Sequence, residues 1–313
     1  MTPARTLILV GPTASGKTDL AVRTALRLGA AEVISADSMQ IWRGMDVGTA
    51  KPTMEERRGV PHHLLDVADP HLEEYTVARW LAAARRAEAE IHARGAVAIL
   101  VGGTNLYVRA FLEGLFEAPA PDPALRAALD GRTMESLRAE LAERDPEAAA
   151  RIHANDRRRT VRALEVATQT GRPISDQQRQ WQDLPPPLPP ATRLLGLEWP
   201  VPELNRRINA RVRRMVEQGF VEEVRGLLAR GPLRPQPAEA VGYRELTEHL
   251  AGVATLEDAL EQTKIRSRRL GKQQRTWLRR FRGIPGGLWH PGDHPDLVDL
   301  AVSAVIGQKH HSS

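Results

Sequence analysis

Gly11-Pro12-Thr13-Ala14-Ser15-Gly16-Lys17-Thr18 matches the phosphate-binding pattern GxxxxGK[ST]. The backbone N–H groups of such a loop, with the N-terminus of the helix it opens, cradle phosphate oxygens. Lys17 adds a positive point charge, and the Thr18 hydroxyl is placed to ligate Mg²⁺. The pattern arises by chance in roughly one chain in a hundred of this length. Here it follows an apolar run, Leu7-Ile8-Leu9-Val10, and precedes a helical pattern, which is the context that gives it meaning. The chain should bind a di- or triphosphate. The nearest acid is Asp37, in Ser35-Ala36-Asp37-Ser38-Met39-Gln40. A carboxylate at a strand end beside a phosphate loop can accept a proton or hold magnesium through water, and the residues alone leave both roles open.

Other candidates carry less chemistry. A nucleoside-triphosphate hydrolase would show an apolar strand ending in Asp, but Ala96–Val101 ends in Gly102-Gly103-Thr104. His62 and His63 are adjacent, without cysteine nearby or helical spacing, so a structural or supporting role is expected rather than a metal site. His310 and His311 suggest no specific role.

These residues need elements to position them. Leu7–Val10 reads as a buried parallel strand, followed by a helix ending at Leu28 with Gly29 as its stop. Glu32–Ser35 and Ala96–Val101 read as further strands, whose carboxyl ends should share one crevice with the loop. Between them, Val77, Trp80, Leu81, Ala84 and Ile91 recur at helical spacing, and Gly95 ends that helix. The alternation predicts an α/β fold: a P-loop NTPase-like core with a parallel sheet flanked by helices. At Pro119-Ala-Pro-Asp-Pro123 the pattern becomes wholly helical, with segments over Thr133–Arg144, after Asp145, and over Asn155–Thr170 with Asn155 as N-cap. It stays so until Pro185-Pro-Pro-Leu-Pro-Pro190. Residues 119–190 are therefore expected to form a small all-helical insertion domain between stiff hinges, with residues 1–118 and 191–313 forming the core. Arg193–Leu197 should rejoin the sheet, and the remainder should be helical, including one helix over Leu256–Phe281.

The chain has 313 residues, enough for two domains, and its 42% hydrophobic and 27% charged content is that of a globular protein. Cysteine is absent, and neither a signal-peptide pattern nor an 18-residue apolar run occurs, so a cytoplasmic protein with no membrane contact is expected. The net charge is +5 at pH 7. Only five of the 44 basic residues are lysines. Between Leu204 and Arg282 stand 18 Lys/Arg against 9 Asp/Glu, and nine of those cations fall between Lys264 and Arg282. Helix dipoles explain a few of them, so a polyanion partner is expected.

The motif set resembles the tRNA dimethylallyltransferase (tRNA isopentenyltransferase, IPP transferase) family. Gly11–Thr18, Asp37-Ser-Met-Gln40, Gly44-Met-Asp-Val-Gly-Thr-Ala-Lys-Pro52 and Pro61-His-His-Leu-Leu-Asp66 follow one another in that family's order. So do Gly102-Gly-Thr-Asn-Leu-Tyr107, Arg162-Ala-Leu-Glu-Val166, Val241-Gly-Tyr-Arg244 and Thr276-Trp-Leu-Arg279. The likeness spans about residues 5–282. It implies transfer of a dimethylallyl group from dimethylallyl diphosphate to N6 of the adenine 3′-adjacent to the anticodon. It implies Mg²⁺, the tRNA anticodon stem-loop and the diphosphate as partners, and a monomer. Asp37 would be the base, with Lys17 and Thr18 serving the leaving group. Implied tRNA contacts fall on Asp37, Ser38, Met39 and Gln40, on Thr104 and Arg126, on Arg158, Arg159, Thr160, Val161 and Arg162, and on Gly242, Tyr243 and Arg244. Two positions depart from the family: Arg158 replaces a common Gln, and Gln273 replaces the Arg of a common Lys-Arg-Gln.

The chemistry of the residues agrees. An adenine N6 lone pair is delocalised into the ring, so it attacks only if its proton is accepted as the C–N bond forms, which a carboxylate can do. No γ-phosphate moves, so ATP should not be consumed and an acid at the Val101 strand end is not required. The alternatives are a P-loop nucleotide or small-metabolite kinase and a non-enzymatic RNA-binding switch. Both would hydrolyse or transfer from a nucleoside triphosphate.

Overall fold

The computed structural model describes residues 5–116, 119–120, 122–178 and 185–307. The first part of the chain runs β1 (Thr6–Val10), α1 (Lys17–Leu28), β2 (Ala31–Ser35), α2 (Met54–Arg57), β3 (His62–His63), α3 (Val77–Ala93), β4 (Val97–Gly102) and α4 (Asn105–Glu113). Five helices follow: α5 (Pro123–Asp130), α6 (Met134–Arg144), α7 (Pro146–Arg151), α8 (Arg157–Thr170) and α9 (Ile174–Gln177). The last part runs β5 (Thr192–Glu198), α10 (Val201–Glu217), α11 (Phe220–Ala229), α12 (Pro235–Ala238), α13 (Tyr243–Leu250), α14 (Leu256–Arg282), β6 (Leu288–Pro291) and α15 (Leu297–Ile306). Among the described residues, no helix is long and apolar enough to cross a membrane.

Two compact units result, one of Met1–Leu112 with Pro186–Ser313 and one of Glu113–Pro185. The larger unit carries a six-stranded sheet in the order β3-β2-β4-β1-β5-β6, every pairing parallel. β1 lies inside it, in register with β4 on one side (Leu9 opposite Val101) and β5 on the other (Leu9 opposite Leu195). Its unbroken apolar run follows from burial on both faces. Leu7 and Leu9 pack with Leu20, Ala21 and Ala25 of α1 and with Ala301 and Val305 of α15. Ile8 and Val10 belong to the opposite core, with Trp80, Tyr107 and Phe281.

β4 lies between β1 and β2. The structure corrects the expected sheet once, because the stretch after β5 is not all helix: β6 pairs with β5 from Leu195–Leu288 to Glu198–Pro291. Four residues, Leu-Trp-His-Pro, show too little alternation to read as a strand.

The smaller unit is a bundle around Leu137, Leu141, Ala148, Ala163 and Leu164, all fully buried. Its helices start on side-chain caps: Thr133 for α6, Asp145 for α7 and Asp156 for α8. Asn155 is not the cap of α8. Its own N–H donates to His153 Nδ1 at 3.2 Å, while Asp156 Oδ1 accepts from Arg159 N–H at 3.0 Å, so the charged neighbour takes the role. Asp122 and Pro123, expected as hinge, cap and open α5 instead. Pro121 of that strip lies outside the described residues, as do His310 and His311.

Candidate active site

The phosphate loop connects β1 to α1. Gly16 takes φ 90° at the α1 N-cap, a left-handed conformation that glycine adopts without strain. The loop carbonyls are held from outside. Trp199 Nε1 donates to Ser15 O at 3.0 Å, Arg207 Nε to Ala14 O at 2.8 Å, and Ser15 N to Pro12 O at 3.2 Å. The Arg207 guanidinium also lies 4.2 Å from the Trp199 ring centroid. With carbonyls fixed outward, the first N–H groups of α1 have no carbonyl of their own and form an anion cradle.

A crevice opens beside this loop, lined by Thr13, Lys17, Thr18, Asp37 and Arg211, with Val33, Leu65, Val101 and Leu270 as its apolar wall. Lys17 Nζ reaches only the Pro12 carbonyl, at 3.3 Å. Burial lowers its pKa to about 8, partly offset by the negative charge of Asp37 and reinforced by Arg211. Arg211 also faces no carboxylate within hydrogen-bond reach: Nη1 donates to Thr13 Oγ1 at 3.2 Å and Nη2 to Thr49 O at 3.1 Å. Burial depresses its pKa too, with the charge of Asp37 opposing. Two desolvated cations thus share a cleft with one carboxylate. The crevice is built for an anion.

Asp37 follows β2. Its Oδ1 accepts from Met39 N–H at 2.9 Å, closing a turn, and its other oxygen has no hydrogen-bond partner among the described residues. The intervening strand makes room for it. A Cβ at Gly102, the last residue of β4, would sit 2.1 Å from the Ala36 carbonyl oxygen. Only glycine lets the β2 end pass over β4 toward the loop. Thr104 then ties the two strand ends, accepting from Ser38 N–H at 2.9 Å and donating to Ser38 Oγ at 3.2 Å.

The other residues named from sequence are placed variously. Gln40 is 8% exposed; it accepts from Ser35 Oγ and donates to Thr49 O and Ala50 O, so it holds the segment around Ala50 against β2. Met39 is partly buried against the same core. His62 and His63 form edge strand β3; His63 Nε2 pairs with Glu32 at 2.7 Å, and His62 lines the crevice. Tyr243 is fully buried and donates to Glu223 Oε1 at 2.6 Å, while Arg244 is exposed between Glu239 and Glu248. Gly242, φ 92°, packs its α-carbon against Phe220.

In the smaller unit, Thr160 and Val161 are core residues, whereas Arg158 and Arg159 are exposed. Arg126 and Arg162 converge on Glu165, whose side chain is fully buried. Most of the arginine cluster at the start of α8 is engaged. Arg157 donates to the carbonyls of Leu129, Asp130 and Arg132, Arg151 to Gln178, and Arg162 to Glu165 and Pro119 O.

Four site residues escaped the sequence reading: Arg211, Arg207, Trp199 and Gln274. The signal for two of them existed. Leu204, Ile208, Val212 and Met215 are the buried stripe of α10, and Arg207 and Arg211 fall beside that stripe at helical spacing. Cations there are aimed inward.

Among the described residues, no group of three or more His, Cys, Asp or Glu could hold a metal ion. A divalent cation here must share phosphate oxygens and water with one hydroxyl or carboxylate, which is how Mg²⁺ binds in phosphate sites. Thr18 and Asp37 in the crevice wall fit that mode.

Comparison with known proteins bears on the whole chain. The sequence model of a family described as IPP transferase matches residues 40–281. A tRNA dimethylallyltransferase of Geobacter metallireducens is 45% identical over 311 residues, 98% of each chain. That of Anaeromyxobacter dehalogenans is 49% identical over 289 residues, 90% of this chain and 93% of that protein. The tRNA isopentenylpyrophosphate transferase of Bacillus halodurans matches with a TM-score of 0.68 at 39% identity, covering 95% of this chain and 94% of the other. A eukaryotic dimethylallyltransferase acting on tRNA gives a TM-score of 0.75 at 27% identity, covering 97% of this chain and 76% of its own.

Proposed function

The chain belongs to the IPP transferase family, and from that premise we infer that it is a tRNA dimethylallyltransferase, moving a dimethylallyl group from dimethylallyl diphosphate to N6 of the adenine 3′-adjacent to the anticodon. One observation carries the reading: a phosphate loop, two desolvated cations and a carboxylate with a free oxygen line the same crevice. The diphosphate sits on the loop N–H groups, Lys17 and Arg211, with the dimethylallyl tail against Val33, Leu65, Val101 and Leu270. The target base must leave its stack to reach the crevice, at a cost of a few kcal/mol. Asp37 accepts the N6 proton as the C–N bond forms and the C–O bond to diphosphate breaks. Charge developing on the departing diphosphate is stabilised by Lys17, Arg211 and the loop N–H groups. Mg²⁺, bound at Thr18, would supply further charge neutralisation on the diphosphate.

For tRNA, Arg244 of the larger unit and Arg158 and Arg159 of the smaller one are the exposed members of the implied contact set, with Ser38 and Thr104 half-buried. Tyr243, Thr160 and Val161 support them from within, and Arg126 and Arg162 act through Glu165. The kinase alternative is not favoured, because β4 ends without an acid and the family match is specific. Incubating unmodified tRNA with the protein, Mg²⁺ and dimethylallyl diphosphate, then weighing the tRNA, should show one added dimethylallyl group per molecule. Steady ATP turnover stimulated by tRNA would overturn the assignment.

A further inference from the structure

Gln274 takes no part in the chemistry above, yet its side chain is bonded directly to the framework of the diphosphate site. It stands on α14 and is 8% exposed. Its Oε1 accepts from Thr13 N–H at 2.7 Å, and its Nε2 donates to Gly103 O at 2.9 Å. Its own carbonyl accepts from Asn105 Nδ2 at 3.4 Å. One residue therefore joins the phosphate loop, the β4–α4 turn and α14. The surroundings are shaped to it. A Cβ at Gly103 would lie 2.6 Å from Gln274 Nε2, and a Cβ at Gly271 would come within 3.9 Å of Thr13 Cγ2. Helix α14 is thus seated directly on the loop, while its outer positions Arg269, Lys272 and Arg279 are exposed.

Thr13 is the member of the loop that Gln274 fixes, and Thr13 Oγ1 is also where Arg211 Nη1 donates. Holding the Thr13 peptide sets the entry to the cradle and the position of Arg211 together. We propose that Gln274 is a positioning residue that couples tRNA bound on α14 to diphosphate bound in the loop. Nucleic acid that immobilises α14 immobilises Gln274, and with it the Thr13–Arg211 pair, so the diphosphate meets a preorganised cradle. By reciprocity, diphosphate in the loop tightens tRNA on α14 by the same factor. This rests on the reading that α14 is a tRNA surface.

The test is calorimetric and needs no turnover. Inorganic diphosphate with Mg²⁺ is titrated into the full chain, with and without saturating unmodified tRNA. In the wild-type protein tRNA should tighten diphosphate binding by about fivefold or more, the lower end of ordinary coupling. Gln274→Leu should reduce that ratio to about twofold or less while leaving the affinity for tRNA alone unchanged, a split that mere destabilisation does not produce. Leucine removes both side-chain hydrogen bonds at once, so two variants that each disturb one contact stand beside it. Gln274→Glu keeps the acceptor for Thr13 N–H but loses the donor to Gly103, and Gly103→Ala pushes on Nε2 without changing any residue of α14. Both should lower the ratio. An undiminished ratio in all three variants, or no ratio in the wild type, overturns the proposal. A wild-type protein that prenylates tRNA without showing the ratio leaves the transferase reading intact, whereas one that does not prenylate tRNA removes that reading itself.

Discussion

Glu165 and Asp37 are both carboxylates set beside two cations, and they end in opposite conditions. Glu165, in the smaller unit, is fully buried and saturated: Arg126 and Arg162 reach it at 3.0 and 2.5 Å, and Asp122 N–H donates to it at 2.9 Å. Burial would raise its pKa, but those three donors outweigh burial and hold it below the ordinary carboxylate value. Asp37, in the crevice, is bonded through one oxygen to a backbone N–H, while Lys17 and Arg211 nearby reach only carbonyls and a hydroxyl. Charge that is fully paired inside a protein is framework. Charge that is desolvated but left short of partners is waiting for a ligand, and here the shortage is of negative charge.

That contrast can be broken at either end. The largest effect is expected at Asp37. Asp37→Asn keeps the turn but removes the proton acceptor, so single-turnover transfer should fall by about 10²–10⁴-fold with little change in diphosphate affinity. Rescue by excess Mg²⁺ would reassign Asp37 to metal binding. Arg211→Met should cost about 10²–10³-fold in turnover, as loss of one preorganised donor does, with weaker diphosphate binding measured by calorimetry.

Glu165→Gln is the control on the other side. It should lower the unfolding free energy by about 1–3 kcal/mol, the range of hydrogen bonds to charged groups, discounted because Arg126 and Arg162 are 38% and 27% exposed. Thermal melts detect this, and diphosphate binding should be unaffected. The sign with pH follows from its depressed pKa. Glu165's contribution is complete above the unfolded value near 4.5 and is lost as pH falls through the lower folded value. A smaller unit equally stable at pH 3 and pH 6 would contradict the pairing.

Lys17 behaves in the reverse sense. Its pKa near 8 in the free protein means it must gain a proton to bind an anion at higher pH. Once the ligand's own ionisation is allowed for, diphosphate affinity should fall by up to about tenfold per unit above pH 8. The smallest effect separates two neighbours on α8. Arg158→Gln should reduce the salt slope of tRNA binding by about one unit while leaving stability alone. Arg162→Gln should do the opposite, because its guanidinium is committed to Glu165 and Pro119 O.

The legibility of the protein follows the same division. β1 and β4 were readable because burial on two faces writes an apolar run, β5 because Leu-Leu-Gly-Leu follows a proline strip, and helix ends because glycines at 29 and 95 mark them. The loop and Asp37 were readable because their chemistry needs fixed residue types at fixed spacing. Arg211 and Gln274 were not, because their roles depend on which way one arginine among many faces and on a helix some 260 residues further along the chain closing on Thr13. The pairing of the α8 arginines was illegible for a related reason. Sequence counts charges but cannot show that their acceptors include the backbone carbonyls of Leu129, Arg132 and Pro119.

The glycine at the end of β4 bears on the protein's evolutionary reach. An aspartate at Gly102 would place an acid where a triphosphate hydrolase has one. Any side chain there collides with the Ala36 carbonyl at 2.1 Å, and the collision is with backbone, which cannot swing aside. The crossing that brings Asp37 to the loop therefore closes the mutational path from prenyl transfer to nucleotide hydrolysis. A lineage carrying this crossing would have to give up the placement of Asp37 before it could acquire the other activity.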